Sequence, residues 1–61
     1  MVHFKGFKTL EEAREFKKKN GKGSICGRIK PNYKIFNECV LYGGLDGNSY
    51  PYAVVWNETK P

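Results

Sequence analysis

Thr9 stands three residues before Glu12 and shortly after a stretch, Val2-His3-Phe4-Lys5, in which apolar and polar side chains alternate. Alternation is the period of a half-buried strand, and the spacing predicts one over Val2 to Phe7, ended by Gly6. Thr-x-x-Glu is a capping box. The hydroxyl accepts from an orphan helix amide while the carboxylate reaches back to the Thr9 amide, so a helix starts here. Glu11 and Glu12 complement its positive N-terminus, and Lys17, Lys18 and Lys19 its negative C-terminus, before Gly21 offers a left-handed stop. Leu10, Ala13 and Phe16 recur at spacing three as a narrow apolar stripe that can lie on a sheet. Glu15 can pair with Lys19 at spacing four. A chain built around this unit must fold its helix back along the strand that precedes it.

With 61 residues, 39% of them apolar and nine of them aromatic, the chain can bury one small core. The expectation is a single α+β domain over 1–57, with 58–61 a frayed tail. Ser24 to Lys30 alternates again, and Pro31-Asn32-Tyr33 reads as a turn. A three-residue turn pairs Lys30 with Lys34, Ile29 with Ile35 and Ile25 with Cys39, collecting Ile25, Ile29, Ile35, Cys39 and Leu41 on one face of a hairpin. Gly43 to Ser49 reads as a glycine-rich connection. Tyr50 to Asn57 then closes the chain with a strand that Pro51 starts at an edge or a bulge. The predicted order is β-α-β-β-β, one helix packed on a three- or four-stranded, mostly antiparallel sheet.

Eleven Lys and Arg against six Asp and Glu leave a net charge of +5, with Lys17 to Ser24 a polar, basic stretch. Such a surface raises the local concentration of polyanions, though lysines also keep a small domain soluble. No apolar run approaches the length that spans a bilayer and no signal-peptide pattern opens the chain, so a cytoplasmic protein without membrane attachment is expected. Cys26 and Cys39 lack CxxC spacing and read as reduced thiols. The one histidine, His3, has no serine or cysteine near it in sequence. Glu11, Glu12 and Glu15 are explained by capping and helix charge, so no general acid and base pair suggests itself and no enzyme is expected. Gly43 to Gly47 lacks the GxxxxGK[ST] pattern, and His3, Cys26 and Cys39 are dispersed ligands, so neither a cofactor nor a metal is expected.

The predicted sheet face opposite the helix carries Arg28, Lys30, Lys34, Phe36 and Tyr42, to which the last strand adds Tyr52 and Trp56. Basic groups interleaved with aromatics suit unstacked bases and their phosphates. In the competing arrangement Trp56 and Val54 turn to the helix, as a small core short of large apolar side chains favours.

The run Phe4-Lys5-Gly6-Phe7-Lys8-Thr9-Leu10-Glu11-Glu12-Ala13-Arg14-Glu15-Phe16 resembles the FKxFxTxEEAxxF segment of the small hybrid-binding domain of eukaryotic-type ribonucleases H and caulimovirus viroplasmin proteins. Tyr33 to Cys39 is similar to that domain's aromatic-then-Glu-Cys stretch, and Tyr52 to Val55 to its opening strand. In the family the FKxF segment closes the domain, and the Glu-Cys stretch begins a helix where the alternation here predicts strand. The resemblance implies binding of RNA-containing duplexes without catalysis, Lys5 as a phosphate contact and Phe36 as a stacking residue.

Three readings follow. The first is a non-enzymatic nucleic-acid-binding module, RNA-containing duplex or single strand preferred, using Lys5, Lys17, Lys18, Lys19, Lys22, Arg28, Lys30, Lys34, Phe36, Tyr42, Tyr52 and Trp56. The second is a protein-interaction module, an inhibitor or adaptor of the kind phages and mobile elements encode, capturing a partner with Tyr42, Tyr50, Tyr52 and Trp56. The third is a structural or dimeric subunit; both monomer and homodimer fit the sequence.

Overall fold

The computed structural model describes residues 2–57; the tail expected to fray lies outside them. Five elements follow one another: β1 (Val2–Phe7), α1 (Leu10–Asn20), β2 (Ser24–Gly27), α2 (Tyr33–Gly43) and β3 (Tyr52–Asn57). The fold is α+β, as expected, with a three-stranded antiparallel sheet in the order β1-β3-β2. The last strand is thus the central one. Val2 pairs with Asn57 and Phe7 with Tyr52 on one side of it, and Ser24 with Val55 and Gly27 with Tyr52 on the other. Pro51 was expected to set this strand at an edge or a bulge. It instead stands just ahead of the strand, where its missing N–H costs no ladder bond, and its carbonyl accepts from the Arg28 N–H at 2.8 Å.

The opening unit folds largely as its residues dictate. Thr9 Oγ1 accepts from the Glu12 N–H at 3.2 Å, while the Glu12 carboxylate accepts from the Thr9 hydroxyl at 3.4 Å, not from the Thr9 amide. Gly21 closes α1 at φ 79°, its N–H donating to the Lys17 carbonyl. β1 does not end at Gly6. It continues to Phe7, and Gly6 is required because a Cβ there would lie 2.8 Å from Cβ of Tyr50 and 2.9 Å from Cδ1 of Leu45.

The second half of the expected hairpin is a helix. Tyr33–Gly43 forms α2, which buries Phe36 and Cys39 while leaving Leu41 exposed. Phe36, Cys39, Val40 and Gly43 recur at the helical spacing of three and four, and that face outweighs the alternation of Ile35, Cys39 and Leu41. Ile29, assigned to the hairpin core, is 81% exposed in the loop between β2 and α2.

The sheet therefore lies between two helices. On β3, Val54 and Trp56 turn toward α1, where Trp56 meets Phe16 at 5.3 Å between ring centroids, and Phe7 meets Phe16 at 5.2 Å. Ala53 turns the other way, into a core of Cys26 and Phe36, with Ile35, Val40, Leu45 and Val55 packed around it. Phe36, 2% exposed, is the largest fully buried side chain, so burying its ring does much of the work of holding α2 to the sheet. No helix among the described residues is long and apolar enough to cross a membrane.

Candidate nucleic-acid interface

Because α2 covers the second sheet face, the expected open platform of bases and phosphates is absent, and its residues are dispersed. Phe36 is buried in the α2 layer and cannot stack on a base. Trp56 is half-buried, stacked on His3 at 5.6 Å and 28°, and tilted against Phe16. It belongs to the α1 layer, the core placement that a small domain favours. Tyr42 is 86% exposed on α2, and Lys34 is exposed in the first turn of the same helix. Lys5 points to the α1 side of β1, its Nζ 5.5 Å from the Phe16 ring centroid and 5.8 Å from that of Phe7. A phosphate there competes with a cation–π contact.

The basic groups fall into two sets with different electrostatic settings. Lys17, Lys18 and Lys19 occupy the last turn of α1, whose first turn carries Glu11 and Glu12. Each end of α1 is matched to its own macrodipole, and Lys22 follows in the exposed link. α2 is the opposite case. Its first turn has no acidic residue and carries Lys34 instead, and Arg28 and Lys30 lie in the loop that leads into it. Asn32, at the cap position, makes no side-chain cap bond; its Nδ2 donates to the Ile25 carbonyl at 3.0 Å. Lys34 thus stands at a positive helix pole that no acidic first-turn or capping side chain offsets, with Arg28 and Lys30 in the segment before it.

The loop that holds them is tightly constrained. The Gly27 N–H donates to the Pro31 carbonyl at 2.7 Å, and the Lys30–Pro31 peptide is cis. A Cβ on Gly27 would collide with the Lys30 carbonyl oxygen and lie 3.1 Å from Cδ1 of Tyr52. Gly27, paired with Tyr52 across the ladder, thus leaves room for both the Lys30 backbone and the Tyr52 ring. Between them is an open cleft of ≈ 500 Å³, lined by Arg28, Ile29, Lys30, Pro51 and Tyr52. Arg28 also lines a second recess of ≈ 200 Å³, whose polar members are Asn37 and Asn48. The two recesses meet at Arg28, with the Tyr52 ring on one side and, on the other, two carboxamides over the buried Phe36. Cations can hold phosphates, a half-buried tyrosine can meet a base or sugar, and amides can bond hydroxyls or base edges.

Asn48 reaches the second recess because the glycine-rich connection is ordered by Asp46. Its Oδ1 accepts from the Asn48 and Ser49 N–H groups at 3.1 and 3.3 Å, and its Oδ2 from the Ser49 hydroxyl at 2.8 Å. The Ser49 contacts, then the Asn48 amide, hold this carboxyl below its ordinary range. Sequence reasoning singled out Arg28, Lys30, Lys34 and Tyr52 but missed Asn37, Asn48 and Ile29. Nothing local marks the two asparagines, since only the long-range docking of the connection against α2 brings them to Arg28.

The histidine and the two thiols are kept apart. His3 sits on the α1 side of the sheet, whereas Cys26 and Cys39 are buried on the α2 side. Burial, and secondarily the neighbouring Cys39, pushes the Cys26 thiol up to about 12; burial likewise raises Cys39. Neither thiol is a ready nucleophile at neutral pH. Among the described residues no three of His, Cys, Asp and Glu come together as a metal site requires. Comparisons with protein families, curated proteins and solved structures return no match for this chain.

Proposed function

We propose that the protein is a small, non-enzymatic nucleic-acid-binding module that holds RNA-containing duplex or single strand in the recesses that meet at Arg28. One observation carries the reading: Arg28 and Lys30 line a cleft with the half-buried Tyr52, in the loop leading to a helix whose first turn carries Lys34 and no acidic or capping side chain. That arrangement is unfavourable for the isolated domain and becomes favourable when an anion arrives. The lysines of α1 have a structural role in their own helix and contribute general attraction. The resemblance to hybrid-binding domains supports the same reading, because Glu38 and Cys39 lie in a helix here and the matching Glu-Cys stretch begins one there. Of the two contacts the resemblance implies, Lys5 remains accessible and Phe36 does not.

The test is titration of the protein into fluorescent RNA duplex, RNA:DNA hybrid, DNA duplex and single strands, at low and at physiological salt. Binding that persists at physiological salt and ranks the four ligands, with RNA-containing forms ahead, is expected. Binding that vanishes with salt, or that ranks nothing, sinks the proposal and leaves the lysines as solvation.

A further inference from the structure

Among the described strands β1 is an edge of the sheet, paired with β3. Natural edges are shortened, charged or covered, because a free row of backbone groups recruits another strand. β2, the other edge, has only four residues; β1 has six and contains no proline. On the α2 side of β1 the covering is incomplete. The Leu45–Tyr50 connection closes over Gly6, and Gly43 at the end of α2 presses on the ring of Phe4. Beyond that contact lies a groove of ≈ 300 Å³, whose walls include Val2, Phe4, Ile35, Tyr42 and Val55. Val2 is 61% exposed at its end.

The other side of the same edge carries Lys5 at mid-strand over the Phe7 and Phe16 rings, and the charges that α1 adds are ordered. Phe7, Glu12, Glu15, Phe16 and Lys19 line a shallow recess between β1 and α1. Only Lys8 and Thr9 separate the strand from the helix, so α1 runs back along β1. Glu12 therefore lies toward the C-terminal end of β1, and Lys19 toward its N-terminal end. Antiparallel pairing of two copies of this edge reverses one of them. The acidic end of one flank then meets the basic end of the other.

We propose that a second copy of this chain docks here, β1 against β1 about a twofold axis, joining two sheets into one of six strands. Antiparallel partners share a face, so Val2 and Phe4 of each copy meet those of its partner over a mainly apolar groove whose one charged wall residue is Glu38. Glu12 and Glu15 face the partner's Lys19. The edge is self-complementary in both shape and charge, which an isologous interface requires. A single domain this small also gains from the added burial. This inference stands apart from the nucleic-acid reading, since it uses none of the residues around Arg28.

Sedimentation from micromolar to millimolar protein tests it. The mass is expected to rise with concentration from 7.0 kDa toward twice that value. Val2→Lys should hold it at the mass of one chain. Lys19→Glu should weaken association about tenfold, and adding Glu15→Lys to that variant should restore it, because the exchanged charges are complementary again. Circular dichroism melts report whether each variant keeps its fold; should Val2→Lys not fold, Tyr42→Glu on the outer edge of α2 makes the same test. A single 7.0 kDa species at every concentration overturns the proposal. So does a dimer indifferent to both Val2→Lys and Lys19→Glu, which means that the copies meet elsewhere.

Discussion

Replacing Arg28, Lys30 and Lys34 together by Gln removes the three cations in and just before the first turn of α2 while leaving the buried core untouched. If each holds one phosphate of a duplex, the log–log slope of affinity against salt becomes shallower by about 0.9 per contact, about 2.7 in all. Between 50 and 200 mM salt, a fourfold change, the parent protein should then lose about 40-fold more affinity than the variant. Fluorescence anisotropy of a labelled RNA:DNA hybrid across a salt series measures both slopes. The fold should not suffer, since Lys34 leaves a positive helix pole, and the melting temperature is expected to stay level or rise.

The matched control replaces Lys17, Lys18 and Lys19 by Gln. These residues complement the negative end of α1, so their loss should cost about 0.3 to 1 kcal/mol each in stability while changing the slope little. The two triple variants thus carry opposite signatures: one alters binding and spares stability, the other does the reverse. An unchanged slope in the α2 variant, or a slope change confined to the α1 variant, refutes the assignment of the cleft.

Further outcomes follow from the packing. Phe36→Ala empties the centre of the α2 layer and should cost about 3 to 5 kcal/mol, read as loss of a cooperative urea transition, since small domains have little stability to spare. Thr9→Ala removes the α1 cap and should lower the urea midpoint by an amount worth about 1 kcal/mol. The Cys26 thiol keeps its proton in the fold up to about 12, against an ordinary 9.0 once unfolded. Its contribution is therefore complete below pH 9.0 and declines as the pH rises from there toward 12, visible as a falling urea midpoint. Asp46 has the opposite sign: its depressed pKa stabilises the 46–49 turn above 3.8 and is lost as the pH falls below that value, visible as faster exchange of the Asn48 and Ser49 amides.

The strand-to-helix opening is legible because its signals are local. A hydroxyl three residues from a carboxylate and a glycine after three lysines each act within one turn. α2 is not legible by alternation, because Tyr33–Gly43 satisfies two periods at once. Ile35, Cys39 and Leu41 fit a strand, whereas Phe36, Cys39, Val40 and Gly43 fit a helix, and only tertiary packing decides between them. That one misreading also removes the expected site, since a sheet face cannot be both an open platform and the floor of a helix. Arg28, Lys30 and Tyr52 survive as neighbours for another reason: Gly27 pairs with Tyr52 and lets the Lys30 backbone come close, which alternation cannot reveal.

The two proposed surfaces are compatible, and their combination has a consequence that neither has alone. The basic cleft is built where β2 ends and β3 begins, while the docking edge is β1, across the sheet from β2. A β1-to-β1 dimer therefore leaves both clefts open, at opposite ends of the joined sheet because the copies run antiparallel. A duplex long enough to reach both clefts turns the second contact into an intramolecular one and binds more tightly than a short one, by an amount set by effective concentration and not by any new contact. Val2→Lys should abolish that dependence on length while leaving affinity for a short duplex intact, since Val2 lies far from Arg28 along both the sheet and the strand direction. Equal affinities for long and short duplexes in a protein shown to be dimeric would mean that the clefts cannot engage one ligand together. Length dependence that persists in a monomeric Val2→Lys variant would place the second contact within one chain, with the lysines of α1 as its source.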